Sequence, residues 1–205
     1  MQSDDNQENM GRFTDLIRQH VSRYAHLGME TASNGTVRIG HVKHVPGGAW
    51  LHATYPSLSG EMVGRIVQLI RRRLPAELRE FYLEANGLNY MLDTFVITGL
   101  PQGNVRAPNA PPMPYHIETL DVQERPHDAS ADMVFFGAYD YDLSRIYMRE
   151  NDPRVFYCAY DSSVPLGEWP SLYDCLSSEF SRVDRLRQKN GELYDLERSP
   201  LPFGR

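Results

Sequence analysis

Seven histidines and two cysteines are the residues best suited to metal or nucleophilic chemistry. His41, His44 and His52 lie close together in a stretch that reads as β-structure. A divalent metal needs several N, S or O donors converging on one point at about 2.0–2.3 Å. Side chains three apart on a strand leave opposite faces, so His41 and His44 diverge. No cysteine, and no carboxylate at a useful spacing, joins them. Exposed or hydrogen-bonded hairpin histidines are expected, and no metal site. His116 and His127 stand alone in loop sequence. Cys158 and Cys175 have no CxxC partner and lie in apolar stretches, which predicts two reduced, buried thiols. There is no GxSxG elbow, no HExxH helix and no glycine-rich phosphate loop. The expectation is a chain without catalysis and without a cofactor.

Three other groupings carry charge or aromatic character. Arg71-Arg72-Arg73 is the one basic run. Phosphate contact is one use for it, but neither aromatic interleaving nor a wider basic face accompanies it. Complementing the negative end of a helix is the simpler use. Asp140 and Asp142 are spaced for acid–base or metal work. They alternate with tyrosines, Tyr139-Asp140-Tyr141-Asp142, which reads more naturally as an exposed acidic turn. Eight aromatics fall within residues 135–160, and those on strands are expected to pack a core. Tyrosine beside acid is what a protein-binding surface uses. The candidate partner-binding residues are therefore Tyr139, Asp140, Tyr141 and Asp142, with Glu150, Asp152 and Asp161 as outer charges.

The formal net charge is −6, unevenly spread. Residues 116–180 hold 13 Asp+Glu against 4 Lys+Arg, while residues 1–115 hold 10 against 11 and residues 181–205 hold 4 against 6. A localised acidic field repels nucleic acid and steers basic partners inward. Such a stretch also serves as a solvated surface that keeps a protein soluble. No apolar run approaches the ~20 residues of a membrane helix. Residues 1–9 are polar and acidic, unlike a signal peptide, and are expected to be disordered. A cytoplasmic location without membrane contact is the corresponding expectation.

These residues need elements to place them. With 205 residues, 41% hydrophobic and 23% charged, the chain can bury a core without disulfides or metals. Phe13, Leu16, Ile17, Val21, Tyr24 and Leu27 recur at helical spacing, and Gly28 suits the stop. Residues 36–45 and 49–55 read as two strands joined at Pro46-Gly47-Gly48. Ser59 suits an N-cap for a helix carrying Met62, Val63, Ile66, Val67 and Ile70 on one face. Leu74-Pro75 breaks it, and a second helix carries Leu78, Phe81, Tyr82 and Ala85. Asn86-Gly87 closes that helix, with Gly87 in the left-handed cap position. A strand at 94–98 precedes a proline-rich irregular loop at 101–114. Strands at 133–137, 145–148 and 154–159 follow, with turns at 139–143 and 150–153. Trp169-Pro170 opens a last helix that ends at Asn190-Gly191. Trp169 is expected in the core, and the tail from 191 to 205 is expected to be loosely ordered.

The motifs Tyr55-Pro56-Ser57-Leu58-Ser59, Leu74-Pro75 through Phe81-Tyr82, Asn86-Gly87-Leu88, Phe95-Val96-Ile97-Thr98-Gly99-Leu100, Phe135-Phe136-Gly137 and Trp169-Pro170-Ser171-Leu172 follow in an order that resembles the SUKH superfamily. That superfamily includes fungal cell-wall-synthesis regulators and bacterial immunity proteins. The resemblance covers roughly residues 55–187. The usual Asp/Gly-rich turn before the paired strands is replaced here by Ala138-Tyr139-Asp140-Tyr141-Asp142-Leu143. What the resemblance implies is an α+β domain with a twisted, mostly antiparallel sheet packed with helices. It implies a SUKH-like unit over 55–190, with residues 10–54 either an extension or the domain's own start. It further implies no catalysis and a role in binding a cognate bacterial toxin, often a nuclease. A regulatory or scaffold module of the fungal type is the alternative. Such regulators tend to carry long disordered arms, whereas only short ends flank this domain.

Overall fold

A computed structural model describes residues 11–43, 45, 48–103, 110–195 and 199–204. The expected disorder of residues 1–9 falls outside these, as do Pro46-Gly47 of the first hairpin and 104–109 of the proline-rich loop. The protein is α+β. Helix α1 (Arg12–Val21) runs into a 3₁₀ segment (Ser22–Leu27) and then strands β1 (Met29–Thr31), β2 (Val37–Val42) and β3 (Ala49–Thr54). Helices α2 (Gly60–Ile70) and α3 (Ala76–Glu84) precede β4 (Leu88–Tyr90) and β5 (Phe95–Ile97). A π-helical turn (Thr119–Gln123) leads to β6 (Met133–Ala138), β7 (Arg145–Arg149), β8 (Asp152–Cys158) and β9 (Gly167–Trp169), and α4 (Leu172–Asp184) follows.

All nine strands form one antiparallel sheet in sequence order. The pair β3–β4, with His52 opposite Tyr90, joins the first hairpin to the rest. Residues 12–54 are therefore built into the sheet rather than appended to it. Helix α1 also packs into the common core. Phe13 meets Phe81 edge to face at 5.6 Å, and Arg12 bridges Glu77 and Glu80 at 2.8 and 2.7 Å.

Helix boundaries follow local chemistry. Ser59 caps α2 by accepting from the Met62 amide, and Val63, Ile66 and Ile70 form its buried stripe. Arg71 ends the helix in a left-handed conformation, and Arg72 donates to the Ile70 carbonyl at 2.7 Å, satisfying a C-terminal acceptor. Ser171 caps α4 by accepting from the Asp174 amide at 3.0 Å, while its hydroxyl donates to the Asp174 carboxylate at 2.7 Å. Trp169 is core, but it belongs to β9 and not to the helix.

Asn86-Gly87 does something other than cap α3, because Ala85 is already extended. The Asn86 side chain donates to the Leu100 carbonyl and accepts from the Leu100 amide, copying a strand pairing beyond the end of β5. Gly87 takes φ +89° where a Cβ would lie 2.7 Å from the Ile97 carbonyl oxygen. The last helix stops at Asp184, six residues before Asn190. The end of the tail packs on the core, while Tyr194 is exposed. Leu201 is buried, and the Phe203 ring lies 4.9 Å from Trp169.

The helices cover one face of the sheet and enclose the main core. The other face is covered at β6–β8, where Leu120 of the π-helical turn packs with Met133, Phe135, Tyr147, Phe156 and Cys158. Asp121 fixes that turn. Fully buried, it accepts from Arg72 at 2.6 Å, Arg125 at 2.9 Å and the Phe135 amide at 2.8 Å. Burial pushes the Asp121 carboxyl up to about 6, and the three donors, two of them cationic, offset part of that cost.

Candidate protein-binding surface

The β6–β7 hairpin loop, residues 140–143, lies at one end of the sheet. Its base closes through the Tyr139 amide donating to the Ser144 carbonyl at 2.9 Å. The Asp142 carboxylate accepts from the Ser144 amide, also at 2.9 Å. Asp140, Tyr141 and Asp142 are exposed, Tyr141 by 65%. Leu143 is 52% exposed and left-handed, at φ +60°, a costly conformation for a leucine. Because Arg145 pairs with Cys158, the segment after β8 lies at the same end and brings exposed Tyr160 and Asp161 there. One face of the Tyr160 ring is already covered by the Arg145 guanidinium, 4.5 Å from its centroid.

Tyr139 is not exposed at this surface, although it borders the adjoining cleft. It is fully buried, and its hydroxyl donates to Glu179 at 2.7 Å. The cause is a bulge between Phe135 and Gly137. The extra residue reverses the alternation, so Tyr139 turns toward the helices instead of outward. Glu150 and Asp152 are also misplaced in the expected patch. They sit at the β7–β8 turn, separated from the hairpin loop by the length of β7, about 17 Å for five residues. Both are half-buried and engaged: Glu150 accepts from the Arg73 amide at 3.3 Å, and Asp152 is paired with Arg154 at 2.7 Å.

The sheet brings further groups to the hairpin end that no local pattern marks. Met91, Leu92 and Asp93, between β4 and β5, are three successive left-handed residues, at φ +53°, +55° and +63°. Buried Arg187 braces this turn by donating to the Met91 carbonyl and the Thr94 hydroxyl, both at 3.1 Å. Asp93 thereby faces a cleft of about 260 Å³ shared with Tyr115, Asp140 and Glu124. Buried Val96 and Leu120 line it, with half-buried Ala138 and exposed Leu143. Tyr115, 54% exposed, donates to Asp93 at 3.0 Å. Burial first, then the Asp93 and Asp140 carboxylates, push the Tyr115 hydroxyl up to about 12, so it remains a neutral donor. Glu124 is partly neutralised by Arg145 at 3.3 Å. Asp93 and Asp140 form no ion pair among the described residues.

Neither cysteine lines this cleft. Cys158 and Cys175 are free and buried. Burial pushes the Cys158 thiol up to about 12 and Cys175 well above its ordinary value. His116 reaches the cleft, but its Nδ1 accepts from the Glu118 amide at 3.1 Å, and no hydrogen bond joins it to Asp93, Asp140 or Glu124. His52 is neither exposed nor hydrogen-bonded. It is fully buried between the rings of Tyr24 and Tyr90, and neither ring nitrogen has a partner among the described residues. No group of three or more His, Cys, Asp or Glu is arranged to hold a metal among the described residues. No helix among them is long and apolar enough to cross a membrane.

Compared with known proteins, the chain matches no protein-family model and no curated sequence.

Proposed function

We propose that this chain is a non-catalytic binding domain whose partner is a basic protein. The observation that carries the reading is the hairpin end of the sheet. Asp93 and Asp140, without cationic partners among the described residues, stand there beside exposed Tyr115, Tyr141 and Leu143. Exposed tyrosines supply contact area at low entropic cost. Uncompensated carboxylates supply attraction and orientation toward a basic surface. Asp142 and Asp161 extend the same field.

The specific form we propose is neutralisation of a cognate bacterial toxin, a basic nuclease being the best fit to the charge. That step leans on the SUKH resemblance of residues 55–187, which no family match supports, and on the acidic 116–180 stretch. Co-expression with the product of the neighbouring toxin-like gene tests it. Growth rescue and a stable complex at moderate salt are expected. If the complex does not form and growth is not restored, the toxin reading is wrong. The fungal-type scaffold reading would instead give several partners of unrelated charge in a pull-down.

A further inference from the structure

The cleft beside the hairpin has a composition that narrows what part of a partner enters it. Its lining combines an apolar strip, Val96, Leu120 and Leu143, with the ring of Tyr115 and the carboxylates of Asp93 and Asp140. A purely apolar side chain would strand two carboxylates in a desolvated contact, which is costly. An anionic group would be repelled. Lysine and arginine carry an apolar stem that packs on such a strip and a cationic head that seeks carboxylate and aromatic faces. A volume of about 260 Å³ accommodates one such side chain.

We propose that this cleft receives a single long cationic side chain, arginine or lysine, projected from the surface of the partner protein. The inference rests on the basic-partner reading above and adds the anchor point. Asp93 holds its place because Asn89 donates to its Oδ1 at 2.6 Å and Tyr115 to its Oδ2 at 3.0 Å, both neutral donors, and no cation among the described residues pairs with it. Asp140 supplies the second carboxylate from the hairpin. The left-handed backbone at Met91, Leu92 and Asp93 is the conformation that turns Asp93 to the cleft, braced by Arg187.

The test uses the full chain and capped amino acids as probes, read by NMR shift mapping up to about 50 mM, since a ligand of a dozen atoms binds in the millimolar range. Acetyl-arginine amide and acetyl-lysine amide are expected to give saturable shifts at Val96, Tyr115, Ala138 and Leu143. Acetyl-citrulline amide, the neutral shape mimic, should bind at least about tenfold more weakly, as should either cationic probe to Asp93→Asn/Asp140→Asn. Asparagine tolerates the left-handed backbone at 93, its amide oxygen can still accept from Asn89, and its NH2 can donate to the Tyr115 hydroxyl with that bond reversed, so that variant should fold. Citrulline or acetyl-norleucine amide binding as well as arginine overturns the proposal, and so does the absence of shifts at the cleft. Free arginine binding tenfold tighter than the capped amide would assign the cleft to a small molecule and likewise overturn it. Probe shifts at the cleft with no binding of the neighbouring toxin-like gene product would sink only the toxin reading. A partner that binds equally to the double asparagine variant would sink only the cleft assignment.

Discussion

The Tyr139 hydroxyl donates a 2.7 Å hydrogen bond to Glu179 inside the core, although its neighbour Asp140 stands in the open. One peptide unit therefore separates a residue that holds the fold from one offered to a partner. Glu179 is also gripped by Arg182, 2.6 Å away, so the charge has a counterion without the tyrosine. Tyr139→Phe should cost about 1–2 kcal/mol in urea unfolding, the range for leaving one buried acceptor short of a donor. Affinity for the basic partner should not change. A variant as stable as the parent would mean the bond contributes nothing.

His52 gives a pH dependence with a defined sign. Its burial lowers the imidazole to about 3, against an ordinary value near 6.5 when unfolded. Between these values the unfolded chain binds the extra proton, so stability falls as pH drops below about 6.5 and is unaffected by this group above it. The loss attributable to His52 between pH 7.5 and pH 5 is about 2 kcal/mol. Because neither ring nitrogen has a partner among the described residues, His52→Met should be neutral or stabilising at pH 7.5 and should lose less on acidification. Denaturant melts of both proteins at the two pH values decide it. Equal losses would exclude His52 as the source.

Charge reversal separates the two ends of β7. Asp140→Lys with Asp142→Lys should slow association with the basic partner at least tenfold at low salt, and should cost about 1 kcal/mol in thermal stability because Asp142 no longer accepts from the Ser144 amide. Asp152→Asn, at the far end, should leave the association rate within about twofold, because Arg154 already neutralises that carboxylate. Stopped-flow or biosensor on-rates at two ionic strengths are the measurement. Equal effects from both ends would mean that the contact is spread over the whole acidic face.

Arg187 acts at a distance from the cleft. It is buried and donates to the Met91 carbonyl, the Thr94 hydroxyl and the Gly191 carbonyl, the last at 2.9 Å. Arg187→Met should cost about 2–3 kcal/mol and loosen the left-handed turn that carries Asp93. Faster amide exchange at Leu92 and Thr94, together with weaker partner binding, is expected. Unchanged exchange there would show that the turn holds its own shape.

Periodicity and punctuation were enough to place most elements. Ser59 chemistry starts α2, and the runs at β2, β3 and β5–β8 carry the branched and aromatic residues that strands favour. Strands β1, β4 and β9 have three residues each, too few to show an alternation that marks a strand. Trp169 looked like a helix opener because its pairing with Val155 is a non-local fact.

What the amino-acid order determined by itself was the α+β composition, the burial of both cysteines and the exposure of Asp140, Tyr141, Asp142 and Asp161, since each depends on residues close in sequence. Tertiary structure alone decided that Tyr139 turns inward, that Glu150 and Asp152 belong to another end, and that Asp93 and Tyr115 share a cleft with Asp140. A bulge of one residue reverses a strand's facing, and antiparallel pairing brings together side chains tens of residues apart. Neither effect leaves a trace in the local pattern of apolar and charged residues.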